Sequence, residues 1–203
     1  MVECLCITSN KIFFCDMVDS FSLSQITSDF YKGNSFDLLF VKDNKIESAI
    51  TLTHLLDSIQ APYSRVLIVN PVNSPSTNVN IGDFIFAENI TEWDKPITES
   101  KFFNLEAPKI DRFNVYTGPG ISGDRLCVNK TTPILQKTFV DFITFSVSLV
   151  LSVFSKETKL ISLGVVVDHC SLNYFRLLQS NNKELSSRMI QFLRSNLSEL
   201  IGE

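Results

Sequence analysis

The sequence predicts an α/β fold: a central, mostly parallel, twisted sheet flanked by helices, in a single domain spanning residues 1–203. Three observations lead there. Short apolar runs of strand length alternate with segments whose apolar residues recur at helical spacing, the order expected of an α/β sheet. One of the runs, Arg65–Val69, is continuously apolar after its first residue, as a central parallel strand covered on both faces is, and Leu160–Val167 reads as another buried strand. The composition is 44% hydrophobic with 17 Phe and only 20% charged, which supplies a large core and excludes a disordered chain.

Taken in order, Cys4–Ile7 and Lys11–Cys15 read as two short strands around a turn at Ser9-Asn10, because Val, Ile, Phe and Cys occupy the apolar places. Ser20–Tyr31 reads as a weak helix and Phe36–Val41 as a strand. A helix follows from Lys45 to Gln60, with Ile46, Ala49, Ile50, Leu56 and Ile59 on one face and Asn44 and Glu47 spaced as an N-terminal cap pair. After Arg65–Val69, further strands are expected at Asp83–Ala87 and Phe113–Thr117. The intervening Glu88–Asp111 is charged and contains Pro96 and Pro108, so it reads as a surface excursion. Val140 begins a strand that passes into a helix reaching Phe154, Leu160–Val167 is the last buried strand, and Asn182–Ile201 closes the chain as a helix stopped by Gly202.

Charge and cysteine content narrow the function classes. Eighteen Lys and Arg against 22 Asp and Glu give a net charge of -4, and no basic run is present to follow a phosphate backbone, which argues against nucleic acid. The five cysteines at 4, 6, 15, 127 and 170 form no C-x-x-C pair, so reduced thiols in a cytoplasmic protein are expected. Met1–Leu5 lacks the basic region of a signal peptide. Phe139–Phe154 is too short to span a bilayer and is expected to be a buried core element rather than a membrane segment.

Three separated stretches carry a resemblance. Asn44-Lys45 opens a helix, followed by Val66–Asn70 and by Ile81-Gly82-Asp83-Phe84-Ile85; then comes Gly120-Ile121-Ser122-Gly123-Asp124; last come Val140-Asp141-Phe142 and Val167-Asp168. In this succession the chain resembles the purine-nucleoside phosphorylase and nucleosidase superfamily, most closely the methylthioadenosine/S-adenosylhomocysteine nucleosidases and futalosine hydrolases. The resemblance implies a nucleoside phosphorylase-like fold with a purine pocket at the strand ends, a small-molecule purine nucleoside as ligand, no cofactor or metal, and a homodimer as the assembly common among relatives.

Cleaving an N-glycosidic bond requires protonation of the purine, stabilisation of an oxocarbenium-like sugar and a positioned water. The resemblance assigns the proton donor to Asp168; read from the residues alone, Asp168 is equally a turn-closing side chain at a strand end. It assigns adenine binding to the backbone at Leu126 and Cys127, which otherwise read as core strand positions. It places Asp141 and Phe142 beside the ribose, where the family has V-E-M-E. The second glutamate of that motif falls on Ile143, which accepts no hydrogen bond. No carboxylate stands at Ile7–Ile12, where a water activator is expected, so either Glu3 or Asp16 takes that role or the chain has no general base. Asn70–Pro75 has no glycine, so a phosphate-cradling loop is hard to build there, and hydrolysis is expected rather than phosphorolysis. His169 reads as an orienting neighbour of Asp168 or a turn residue. Two functions follow from these residues: an adenine-releasing nucleosidase acting on a modified adenosine, or a non-catalytic relative that binds a nucleoside or a protein.

Overall fold

The computed structural model describes residues 2–59, 63–93, 101–124 and 139–202. The first strand, β1 (Cys4–Thr8), is buried throughout. It is followed by α1 (Lys11–Ser20), not by the second strand expected from residues 11–15. The reason is local: Asn10 Oδ1 accepts the amides of Ile12 and Phe13 at 3.0 and 3.1 Å, an N-cap that starts a helix. Phe13, Phe14 and Met17 then share a buried face at helical spacing.

Residues 21–31 are not helical. Ser22 takes a positive φ of 51°, and the chain forms a narrow antiparallel ribbon of β2 (Ser24–Gln25) and β3 (Phe30–Lys32). The Thr27 hydroxyl accepts the amides of Asp29 and Phe30, so its turn competes with helix formation. β4 (Asp37–Phe40) and α2 (Lys45–Ser58) follow as expected, and Asn44 Oδ1 caps α2 by accepting the Glu47 amide at 2.8 Å. The expected apolar face of α2 is only partly correct. Ile46 and Ile50 are 69% and 51% exposed, while Ser48 and Leu52 are buried. The inward direction is shifted because the Ser48 hydroxyl meets the Ser146 hydroxyl at 2.7 Å between two packed helices.

The remaining elements are β5 (Arg65–Asn73), β6 (Phe84–Glu92), β7 (Phe102–Asn104), β8 (Val115–Ser122), β9 (Phe139–Asp141), α3 (Thr144–Phe154), β10 (Lys159–Asp168) and α4 (Tyr174–Ile201). Residues 139–154 are largely buried, although Val153 and Phe154 at the end of α3 are exposed. Among the described residues no helix is long and apolar enough to cross a membrane. α4 begins eight residues before the expected Asn182, because the ring of Tyr174 is itself a buried core group. Gly202, at φ 81°, ends it in the left-handed conformation.

The strands pair in the order β10-β6-β8-β9-β5-β1-β4-β3-β2, and β10 also pairs with β5. Strands β5, β10, β6, β8 and β9 therefore close into a ring, from which β1, β4, β3 and β2 extend as an open sheet. The sheet is mixed. β5 is parallel to β1 and β10, and β8 is parallel to β6 and β9, but β6 runs antiparallel to β10 and β9 antiparallel to β5. No helix intervenes between β5 and β6, so these consecutive strands lack the crossover that a parallel pair needs. Residues 74–83 instead turn the chain, with Gly82 at φ 88°.

Of the cysteines in the described residues, Cys4, Cys6 and Cys170 are buried and Cys15 is exposed.

Candidate functional site

The carboxyl ends of β1, β4, β5, β8 and β10 carry the polar residues that the core does not absorb. Ser9 follows β1, Asp43 follows β4, Asn73 ends β5, Ser122 ends β8 and Asp168 ends β10. The register brings them together: Asp168 lies opposite Asn73, Asn73 opposite Val140, and Asp141 opposite Ser122. Strand ends of an open α/β sheet are where such folds bind ligands, since side chains from several loops converge there.

Asp168 is 5% exposed and both its oxygens are engaged. Oδ2 accepts the Ser171 amide at 2.7 Å and Oδ1 the Ser171 hydroxyl at 3.0 Å, across a turn in which Cys170 has φ 57°. The side chain thus closes the turn into α4 while remaining at the strand end. His169 does not orient it; its Nδ1 meets the Ser74 carbonyl at 3.0 Å. The residues expected to form a loop after the central strand instead prolong β5 through Pro71 to Asn73, and the Ser74 amide donates to the Asp168 carbonyl at 2.9 Å.

Tyr174 ties the acids together. Its hydroxyl donates to the Pro71 carbonyl at 3.2 Å. Burial first, and then the charges of Asp43, Asp141 and Asp168, push its ionisation far above the ordinary tyrosine range. The phenol therefore stays neutral. Phe142 packs on Tyr174 with ring centroids 5.9 Å apart and stacks on Phe175 at 6.3 Å and 15°. Phe175, 56% exposed, is the solvent end of this aromatic wall.

Asp141 is buried against the N-terminus of α3. Its carboxylate accepts both the amide and the hydroxyl of Thr144, and that hydroxyl also meets the Ser162 hydroxyl at 2.8 Å. The Ser122 hydroxyl near it also favours the ionised form. Desolvation outweighs these contacts and pushes the Asp141 carboxyl up to about 6. Ile143 points into the core, fully buried.

Sequence reasoning missed Asp43. The Ser9 hydroxyl lies 2.8 Å from Asp43 Oδ1 and 3.2 Å from Asn70 Oδ1, and its single proton can serve either. Asn44, not Asp43, caps α2, so this carboxylate has no capping duty. Its side chain is exposed, beside Ser9 at the carboxyl ends of β1 and β4. Desolvation chiefly, with the Asp141 charge adding and the Ser9 hydroxyl opposing, pushes it up to about 6. The readable signal was an aspartate just past a predicted strand end. The alternatives named from sequence fare worse as neighbours of these strand ends: Glu3 is exposed at the opposite end of β1 and accepts from Ser64, and Asp16 is half-buried along α1.

The Ser122-Gly123-Asp124 element has a structural explanation. A side chain at Gly123 would meet Trp93 Nε1 at 2.4 Å, and Asp124 Oδ1 accepts the Lys45 amide at 2.7 Å at the start of α2. The Lys45 ammonium in turn pairs with the buried Glu92 at 2.5 Å. Leu126 and Cys127 lie outside the described residues. Among the described residues no group of three or more His, Cys, Asp or Glu is placed to hold a metal ion. A cleft of about 440 Å³ lined by Leu105, Leu151, Lys156 and Leu160 opens at the other end of β10, away from the acids.

No family model matches the sequence, and no curated protein does. Solved structures do match the fold. A mutant of futalosine hydrolase from Helicobacter pylori aligns with TM-score 0.83 and 14% identity over 98% of this chain and 100% of that one. The 5′-methylthioadenosine/S-adenosylhomocysteine nucleosidase of the same organism, bound to butyl-thio-DADMe-Immucillin-A, gives 0.82 and 14% over 98% and 99%. The methylthioadenosine/S-adenosylhomocysteine nucleosidase of Streptococcus pneumoniae in complex with 8-aminoadenine gives 0.81 and 12% over 98% and 100%. The structural neighbours are thus nucleosidases, and at these identities the likeness is one of fold.

Proposed function

We propose that the chain is an adenine-releasing nucleosidase, one domain that hydrolyses the N-glycosidic bond of a modified adenosine of the methylthioadenosine or futalosine type. The observation that carries this reading is Asp168, a buried carboxyl at the end of β10, in the same neighbourhood as the Phe142, Tyr174 and Phe175 wall. Neighbours of this fold have been captured with nucleoside analogues and with 8-aminoadenine, and an aromatic wall beside an acid suits a purine nucleoside. Asp168 protonates the leaving purine at N7, so the electron pair of the broken bond enters a neutral base. The Ser171 hydroxyl at Oδ1 can accept as well as donate, which accommodates a proton on that oxygen. Phe142 packs against the sugar side of the ligand. With no glycine between Asn70 and Pro75, water rather than phosphate is the nucleophile.

One observation favours the second reading, a non-catalytic nucleoside- or protein-binding relative. Thr144 engages the Asp141 carboxylate and Ile143 is in the core, so neither presents a free acceptor to the ribose hydroxyls. Adenine release from a panel of adenosine derivatives decides between them. The wild type releases adenine from at least one derivative, and Asp168→Asn, which keeps the shape but carries no acidic proton, lowers the rate by about 10²–10⁴-fold. A loss below about tenfold removes Asp168 as the acid. No release from any derivative, with no thermal shift by adenine, supports the non-catalytic relative.

A further inference from the structure

Hydrolysis needs a base for the attacking water, and neither the loop after β1 nor Glu3 supplies one at the strand ends. Asp43 has the required placement. Thr8 and Phe40 are register partners in the parallel pair β1–β4, so the residues that follow them leave the sheet side by side. Ser9 and Asp43 then meet at 2.8 Å. The contact fixes Oδ1 and leaves Oδ2 without a described hydrogen bond, on a side chain open to solvent.

The position relative to Asp168 also fits. Along the sheet β10, β5, β1 and β4 are consecutive neighbours. Three strand spacings of about 4.8 Å separate the first from the last by about 14 Å, which leaves room for a nucleoside between the loops that carry Asp43 and Asp168. An inverting displacement needs an acid and a base on opposite sides of the scissile bond.

We infer that Asp43, delivered by the loop after β4 and oriented by Ser9, is the group that activates water for glycosidic cleavage. The assignment rests on the nucleosidase reading above. In the step it describes, a water proton moves to Asp43 Oδ2 as the water oxygen bonds to the anomeric carbon. The C1′–N9 bond breaks, its electron pair passes into the purine, and Asp168 gives N7 a proton. Substrate plus water thus becomes adenine plus the free sugar, and the proton gained by Asp43 replaces the one lost by Asp168 through solvent. An aspartate pushed up to about 6 remains ionised at neutral pH while being a stronger base than an ordinary one.

The test compares wild type, Asp43→Asn and Asp43→Ala for adenine release, for the thermal shift given by adenine, and for rescue by sodium azide, an anion that attacks the anomeric carbon without needing deprotonation. Both variants are expected to lose about 10²–10⁴-fold in kcat while keeping the wild-type thermal shift. Azide is expected to restore release by Asp43→Ala with formation of the ribosyl azide. The wild-type rate should fall as pH drops below about 6 and the fall should be absent in the variants. Variants within tenfold of wild type overturn the assignment alone, as does a loss of release that azide does not rescue. A wild type that releases no adenine from any derivative overturns the nucleosidase reading and this assignment with it.

Discussion

Replacing Asp141 by asparagine isolates the cost of holding a carboxylate inside this fold. The folded chain pushes the Asp141 carboxyl from 3.8 up to about 6, whereas the unfolded chain releases its proton at the ordinary value. Between those pH values the folded state binds more protons than the unfolded one, so stability falls as pH rises through the window. With each pKa unit equivalent to about 1.36 kcal/mol, the group contributes a loss of roughly 2.4 kcal/mol on going from pH 4 to pH 7, since the unfolded carboxyl is already partly ionised at pH 4. Burial is nearly complete, at 3% exposure, so solvent screening removes little of this. Asparagine keeps an acceptor for the Thr144 amide but cannot ionise. Urea unfolding at pH 4, 5, 6 and 7 should therefore show Asp141→Asn gaining on wild type by up to roughly 2.4 kcal/mol as pH rises. A stability difference that stays flat across this range would refute the reasoning, and would mean that the α3 amides and Thr144 compensate the charge in full.

Two packing predictions follow. A Cβ at Gly164 would lie 2.4 and 2.5 Å from the methyls of Val72, so Gly164→Ala should cost about 1–3 kcal/mol by overpacking. Adding Val72→Ala should make the pair less destabilised than the sum of the singles by at least about 0.5 kcal/mol, and additive values in denaturant unfolding would disprove the contact. Asn10→Ala removes the cap that converts residues 11–20 into a helix; a cost of about 1 kcal/mol is expected, and no measurable change in urea midpoint would show that tertiary packing alone sets α1.

The buried strands β1, β4, β5 and β10, and helices α2 and α3, were legible because burial on both faces or a cap leaves a mark within a few residues. α1 was not read because Ile12, Phe13, Phe14 and Cys15 favour strands by propensity, and the deciding signal was one side-chain acceptor at Asn10. Closure of the ring through β5 and β10 has no local mark at all, since it depends on pairing between residues about 95 apart in sequence. Asp168, Asp141 and Phe142 are singled out by their succession along the chain, as candidates whose roles belong to the proposed function. Asp43 was hidden because Asn44 beside it explained the start of α2, and only the parallel register of β1 and β4 brings Ser9 to it.

That register also explains how a nucleosidase-like fold persists at 12–15% identity to its neighbours. The places fixed by the backbone are strand ends, and what must be kept at them is set by sterics more than by chemistry: Gly123 has no room for a side chain beside Trp93, and Asp124 satisfies an amide that α2 would otherwise leave open. On the proposed reading, water-activating groups are less constrained, because two adjacent parallel strands deliver their next residues side by side. A carboxylate absent after β1 is therefore replaceable by one after β4 with no change of fold, provided the first loop supplies a small hydroxyl to orient it. Ser9 is such a residue. The converse substitution tests this exchange of roles: a carboxylate placed at Ser9 in the Asp43→Asn background should recover part of the adenine release that Asp43→Asn loses, and no recovery in a protein that still shows the adenine thermal shift would mean that the two loops do not address the same point.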